Sequence, residues 1–150
     1  MSDIERYDYA FDPEGDAWAA RLLRRVPGRA SVLELGPGPG AMTQVLRARG
    51  QAVTVVENDP AALQALRPLG VQAVEADLDG LAWLDALQGR RFDAILACDV
   101  LEHLRSPEQV LKELSGLLEP MGSLIISLPN IAYAGVVAAL RAGELDYADK

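Results

Sequence analysis

The sequence has few of the residues that mark several common classes of protein. Its 150 residues include one histidine and one cysteine. A single cysteine excludes an internal disulfide and predicts a reducing compartment such as the cytoplasm. Its 14 basic residues are outnumbered by 22 acidic ones, for a net charge of −8, so no domain-wide basic surface for nucleic acid is expected. The longest apolar stretch, near residues 131–140, is too short to span a bilayer, and the polar first residues lack the core of a secretory signal.

The composition predicts one globular domain over residues 1–150. Half of the residues are hydrophobic and 24% are charged, which is typical of a soluble domain with a sizeable core. Residues 1–15 are expected to form an irregular arm. Its aromatic residues, Tyr7, Tyr9 and Phe11, either close over the core or form part of a lid above a ligand, and the first alternative is favoured.

A glycine-rich stretch organises the rest of the chain. Residues 32–40 read VLELGPGPG, in which an apolar run ends in Gly36, Gly38 and Gly40. The pattern predicts a strand, a tight turn and a helix that begins near Ala41. Glycines let a backbone lie directly against a ligand, and the first N–H groups of a helix are available to it. Glu34 places a carboxylate just before this turn.

Four further apolar segments alternate with helical patterns along the chain. The five strands are expected near residues 32–35, 52–56, 71–75, 92–97 and 123–128. Asp59 is expected to cap the helix after the second strand, with Pro60 in its first turn. Alternating strands and helices predict a doubly wound, Rossmann-like α/β fold, with a mostly parallel sheet of about five strands and helices on both faces.

Acidic residues follow three of these strands, where ligands bind in such sheets. Glu57 ends the second strand and is suited to the hydroxyls of a ribose. Asp77 and the apolar Leu78 follow the third strand, and Cys98 and Asp99 follow the fourth. Together they indicate a ligand with a diol, an amine-bearing base and a positive charge.

The chain resembles the class I S-adenosylmethionine-dependent methyltransferases. The matching segments are VLELGPGPG, VTVVEND, VEADL, FDAILACDVLEHL with SPEQVLKEL, and GSLIISLPN. They cover roughly residues 15–135 in the family's order. The LEHL and SLPN segments are similar to those of methyltransferases that act on small molecules, quinones, lipids or sugars.

The resemblance implies S-adenosylmethionine as cofactor and nine residues that bind it: Glu34, Gly36, Gly38, Gly40, Glu57, Asn58, Asp77, Leu78 and Cys98. The glycines would line the methionine part, with Glu34 nearby. Glu57 would hold the ribose, Asn58 would border the adenine, and Asp77 with Leu78 would contact the adenine edge. Cys98 would offer its backbone carbonyl to the amino group.

His103 and Asp99 are the candidate catalytic residues. A sulfonium carries its own activated methyl group, so a proton acceptor is needed only for a poor nucleophile such as a hydroxyl. His103 is the natural candidate for that base, although the resemblance favours a structural role for it. Asp99, Glu102 and His103 are also spaced like the magnesium ligands of some relatives, but no further ligand is visible, so no metal is expected.

Two rival functions stay open, and the C-terminus bears on one of them. Gly36, Gly38 and Ala41 fit a loose dinucleotide fingerprint, which would suit a nicotinamide-dependent oxidoreductase. Family members usually continue into two further strands, whereas this sequence stops at Lys150. Either the sequence is part of a longer protein, or it is a minimal form whose fifth strand is covered by a second copy or another chain. The missing strands also favour the second rival function, a non-catalytic module that holds the cofactor or a partner.

Overall fold

A computed structural model of the chain describes residues 10–130 and 132–143. The strands are β1 (Ser31–Leu35), β2 (Ala52–Glu57), β3 (Gln72–Glu75), β4 (Phe92–Cys98) and β5 (Leu118–Ser127). They form one sheet in the order β3-β2-β1-β4-β5, and all neighbouring strands are parallel. The predicted doubly wound α/β sheet is confirmed.

Six α-helices of the described part of the chain connect and flank these strands. They are α1 (Trp18–Leu23), α2 (Ala41–Ala48), α3 (Pro60–Leu66), α4 (Trp83–Ala86), α5 (Pro107–Gly116) and α6 (Ala134–Ala142). The predicted cap of α3 is confirmed, because Asp59 Oδ1 accepts the N–H groups of Ala61 and Ala62 and Pro60 occupies the first turn. None of the described helices is both long and apolar enough to cross a bilayer.

Each face of the sheet carries its own apolar core. Val32 and Leu96 point to the face that α1 and α2 cover, while Leu33 and Ile95 point to the face of α4 and α5. All four side chains are completely buried, and each contributes about 1.5–3 kcal/mol to folding. Phe11, from the predicted arm, packs against the first core; Tyr7, Tyr9 and the polar tail lie outside the described residues.

The order of the strands fixes where a ligand can bind. The chain runs outward from β1 through β2 to β3, then crosses to β4 on the other side of β1. Leu35, near the end of β1, pairs with Val56 of β2 and with Ala97 of β4. The carboxyl ends of these three strands therefore meet at one edge, around the point where the strand order reverses.

The strand β5 begins earlier than the sequence predicts. A start at Ser123 is expected, but Leu118 already pairs with Phe92, and an irregularity in register separates this pair from Ala94 and Ser123. Gly122 lies in this segment. A Cβ atom there would stand 2.9 Å from the Phe92 carbonyl oxygen and 3.0 Å from that of Glu119. The close approach of backbone to backbone explains why a glycine occupies this position.

Apolar side chains are exposed along the β5 edge and on α6. Met121 is 94% exposed, Leu128 58% and Tyr133 67%, and Val136 and Leu140 of α6 are exposed as well. The helix buries none of its residues. The apolar side chains that the described structure leaves uncovered thus concentrate beyond β4.

Gly122→Ala is expected to destabilise the fold. The new methyl group would press on two backbone oxygens that cannot swing away, so the free energy of unfolding should fall by about 1–3 kcal/mol. Gly116→Ala is the matched control, since nothing lies within 4 Å of a Cβ at the end of α5. It should be neutral or stabilising by up to about 1 kcal/mol. Chemical denaturation of both variants checks this, and equal stabilities would contradict the tight contact.

Candidate functional site

A cleft of about 310 Å³ opens at the carboxyl ends of β1, β2 and β4. Its walls hold most of the predicted site residues: Gly36, Gly38, Glu57, Asn58, Asp77, Leu78, Asp99 and His103. This cleft is called the first cavity below, and its volume is within the range of small-ligand sites. Residues from four separate chain segments therefore converge on one space.

The glycine turn forms the floor of the first cavity. Gly36 and Gly38 have left-handed backbone angles, with φ of 56° and 57°, which residues with a Cβ rarely adopt. A Cβ on Gly36 would also stand 3.0 Å from Val100. Gly40 lies behind the turn, where a Cβ would come within 2.8 Å of Leu66. It lines neither this cavity nor the second one described below, so its position serves the packing of α2 against α3.

Glu57 binds the turn to the end of β2. Its side chain is buried, with 7% exposure. Gly38 N–H donates to its Oε2 at 3.0 Å, and Asn58 and Asp59 donate their N–H groups to its Oε1 at 2.8 and 2.9 Å. Three backbone donors compensate the burial of this carboxylate.

The wall beyond β3 combines a carboxylate with an apolar side chain. Asp77 Oδ1 accepts the N–H of Asp79 and caps a short 3-10 helix, Leu78–Gly80. Leu78 is buried, and the completely buried Trp83 donates its indole N–H to the Leu78 carbonyl at 3.1 Å. The sequence did not point to Trp83, which fixes this wall from behind.

A second, smaller cavity of about 70 Å³ lies on the other side of the glycine turn. Its walls include the side chains of Trp18, Glu34, Met42, Cys98 and Asp99. Among the described residues, Gly36 and Asp99 are the two that line both cavities. The two cavities are therefore adjacent at these two residues.

Glu34 is a buried acid in this second cavity. Its Oε2 accepts a hydrogen bond of 2.7 Å from the hydroxyl of the completely buried Thr43. Burial raises the pKa of Glu34 from 4.5 to about 7, and the Thr43 bond offsets part of that rise. Near neutral pH the carboxyl group is therefore divided between its neutral and charged forms.

Cys98 is held as a neutral thiol beside these acids. Burial raises its pKa to about 12, and the negative charges of Glu34 and Asp99 add to the effect. A neutral thiol is a weak nucleophile, so the side chain of Cys98 serves as a wall of the second cavity.

His103 lies on the wall of the first cavity, at the end of the 3-10 helix Leu101–His103, with its side chain exposed. Asp99 is also exposed, at the end of β4. Within residues 10–130 and 132–143, no group of three or more histidine, cysteine or acidic side chains is placed to hold a metal ion. The spacing of Asp99, Glu102 and His103 along the chain does not produce such a group.

Glu34→Gln should change how stability depends on pH. Between pH 4.5 and about 7 the folded protein keeps a proton on Glu34 that the unfolded chain has lost, so stability falls as pH rises through this window and is then constant. Glutamine at position 34 has no proton that titrates in this range, so the variant does not show this loss of stability. Relative to the original protein, its free energy of unfolding should therefore increase by up to about 3 kcal/mol between pH 5 and pH 8. Denaturant titrations at both pH values measure the difference, and one that is independent of pH would contradict the raised pKa.

Comparison with known proteins shows the family of the chain. The methyltransferase domain family matches residues 7–149. The chain is 30% identical over 127 residues to a ubiquinone biosynthesis O-methyltransferase of Xylella fastidiosa, covering 82% of this chain and 52% of that protein. The corresponding Xanthomonas axonopodis enzyme is 30% identical over 125 residues, with 81% and 52% covered.

Solved structures show the same fold. The CcbJ methyltransferase of Streptomyces caelestis superposes with a TM-score of 0.67 at 23% identity, covering 87% of this chain and 57% of that one. The glycopeptide N-methyltransferase MtfA gives 0.62 at 25% identity, with 80% and 54% covered. The chain spans about half the length of the curated relatives. Since the family profile matches nearly all of its residues, the chain belongs to the methyltransferase domain family.

Proposed function

We propose that the chain binds S-adenosylmethionine and transfers its methyl group to a small-molecule acceptor. The observation that carries this proposal is the pair of cavities that meet at Gly36 and Asp99, one beside Glu57 and the other beside Glu34. A nucleoside joined to a cationic amino acid has a shape and charge that suit the two spaces.

The first cavity fits the nucleoside. Glu57 has about four lone-pair positions on its two oxygens, and the backbone donors of Gly38, Asn58 and Asp59 use three of them. One position is left for a ribose hydroxyl. A second hydroxyl would have to share an oxygen with one of these donors. Glu57 therefore holds the ribose and the glycine turn together.

The adenine is expected against the wall beyond β3. Leu78 offers an apolar surface, Asp77 offers a carboxylate to an exocyclic amine, and Asn58 lies at the exposed border of the cavity. Trp83 keeps the Leu78 turn in place from below. An apolar wall with a few polar groups is typical of sites for planar ligands.

The second cavity fits the amino-acid end of the donor. Glu34 and Asp99 supply negative charge, and the backbone carbonyl of Cys98, at the end of β4, is the proposed acceptor for the amino group. Because Glu34 is partly protonated near neutral pH, a cationic ligand beside it would favour the charged form and release a proton.

Methyl transfer requires alignment more than acid–base chemistry. The sulfonium group of the donor supplies an activated methyl group and its own leaving group. Asp99 lies where the two cavities join, beside the proposed position of the reacting centre, and we propose that it acts there through its charge. We propose His103 as the proton acceptor when the acceptor is a hydroxyl, since it lies exposed on the wall of the first cavity.

The acceptor is proposed to be a neutral or cationic small molecule. Among the described residues, no lysine or arginine lines either cavity, whereas six carboxyl groups do: Glu34, Glu57, Asp59, Asp77, Asp79 and Asp99. Such walls repel carboxylates and phosphates. The relatives named as O-methyltransferases support an oxygen nucleophile.

The exposed apolar residues of β5 and α6 support a partner proposal. A further polypeptide strand is expected to cover the β5 edge, and nucleic acid is not expected as a partner of a chain with a net charge of −8. A reducing compartment such as the cytoplasm suits the thiol of Cys98.

Calorimetry with three ligands tests the proposed cofactor. S-adenosylmethionine and S-adenosylhomocysteine should bind, while NAD should bind weakly or not at all. Tight binding of NAD without a response to S-adenosylhomocysteine would support the oxidoreductase instead. Binding without transfer of a labelled methyl group to any of a panel of phenols and amines would support the non-catalytic module.

Glu57→Gln should weaken the binding of S-adenosylhomocysteine by roughly 10- to 100-fold. The amide removes an acceptor that carries charge-assisted hydrogen bonds, each of which contributes about 1.5–3 kcal/mol. Glu75→Gln is the matched control, because Glu75 pairs with Glu57 in the sheet but lies outside the cavity. Thermal melting should accompany the titrations, because Glu57 also holds the turn. A folded Glu57→Gln variant with unchanged affinity would refute this site for the ribose.

A further inference from the structure

Asp99 has a backbone conformation that few residues other than glycine adopt. Its φ is +52°, in the left-handed region, which costs a residue with a Cβ roughly 1–2 kcal/mol. Asp99 also lines both cavities at their junction. A strained residue at a functional site persists when neighbouring groups hold it there.

Ser127 is the group that holds Asp99. The residue ends β5 and pairs with Cys98 across the sheet. The backbone N–H of Asp99 donates to the Ser127 hydroxyl at 3.0 Å and to its carbonyl at 3.2 Å. The same hydroxyl donates its proton to Asp99 Oδ1 at 2.7 Å. Both the backbone and the carboxylate of Asp99 are thus fixed by one side chain.

The hydroxyl can make both contacts at once because it carries one proton and two lone pairs. It receives the amide proton and gives its own proton to the carboxylate. One carboxylate oxygen of Asp99 is occupied in this way, and the other is left for a ligand. Alanine at position 127 would remove both side-chain contacts with Asp99 and also the hydrogen bond between this hydroxyl and the Cys98 side chain, while the backbone bond to Asp99 would remain.

We propose that Ser127 is a positioning residue that holds the Asp99 carboxylate where the cavities adjoin, and that this charge shifts the site's relative affinity towards a cationic methyl donor and away from its neutral-sulfur product. This inference rests on the proposed function, because it assigns a recognition role within that same site. S-adenosylmethionine and S-adenosylhomocysteine differ by one methyl group and one positive charge at sulfur. An anionic group near that sulfur therefore distinguishes them, whereas the ribose and adenine contacts do not.

The ratio of two affinities isolates this effect and requires no acceptor. For the original protein, the ratio of the S-adenosylmethionine affinity to the S-adenosylhomocysteine affinity should decline with added salt, because Asp99 is exposed. Asp99→Asn keeps the shape and tolerates the left-handed conformation. It should reduce this ratio by about three- to fivefold, as expected for an exposed charge pair. Ser127→Ala should reduce it in the same direction, and Ser127→Thr, which retains the hydroxyl, should restore it.

Asp77→Asn is the matched control. Asp77 lines the first cavity but not the second, and asparagine can still cap the 3-10 helix. This variant should change both affinities by the same factor and leave their ratio intact. Melting temperatures measured on all variants separate a loss of folding from a loss of preference.

The outcomes separate the two proposals. If the original protein binds both ligands but Asp99→Asn or Ser127→Ala leaves their ratio unchanged, the positioning role is refuted while the proposed cofactor stands. If Ser127→Thr behaves like Ser127→Ala, the hydroxyl is not the cause and the role is also refuted. If the original protein binds neither ligand, the proposed function itself fails, and this inference fails with it.

Discussion

The site depends on one buried carboxylate and the backbone that surrounds it. Glu57 accepts the N–H of Gly38 from the turn after β1, and the N–H groups of Asn58 and Asp59 from the chain that leaves β2. These bonds join the glycine turn to the end of β2, in addition to the backbone pairing of the two strands. The left-handed turn, the entrance to α3 and the first cavity all take their positions from this contact.

The acidic residues around the site differ in how deeply they are buried and in the hydrogen bonds that their carboxyl groups accept. Glu57 is buried but satisfied by backbone donors. Glu34 is buried with one hydroxyl partner, so burial raises its pKa towards neutrality. Asp99 is exposed and held by Ser127. One cluster of carboxyl groups thereby provides a hydrogen-bond anchor, a group that can gain or lose a proton, and a fixed charge.

Much of this arrangement could be predicted from the sequence because it follows from local chemistry. Alternating apolar segments specify the parallel sheet, and the acids after each strand necessarily share an edge. The contacts of Thr43, Trp83 and Ser127 could not be predicted, because each depends on how elements distant in sequence pack. A polar side chain on the buried face of α2 is the one local signal that would have drawn attention to Thr43.

The start of β5 is another feature that the local sequence does not determine. The strand expected from the sequence begins at Ser123, whereas pairing begins at Leu118, because hydrogen bonding to Phe92 is set by the neighbouring strand and not by the side chains of residues 118–122. Gly40 is a second position at which the sequence motif and the structure give different reasons for the residue. The motif places it among the ligand-binding glycines, but Leu66 determines why no larger residue fits there.

The uncovered apolar residues of β5 and α6 have a practical consequence for work with this chain in solution. The outer edge of β5 has no strand partner among the described residues, and the backbone of such an edge can pair with another extended segment. That pairing would also remove the exposed side chains of Ile126, Leu128 and Tyr133 from water, which favours it. Under the proposal that a further polypeptide strand covers this edge, a higher protein concentration would favour association at β5. Titrations of this site are best made dilute, with light scattering as a companion measurement, so that heat from association is not mistaken for heat from a ligand.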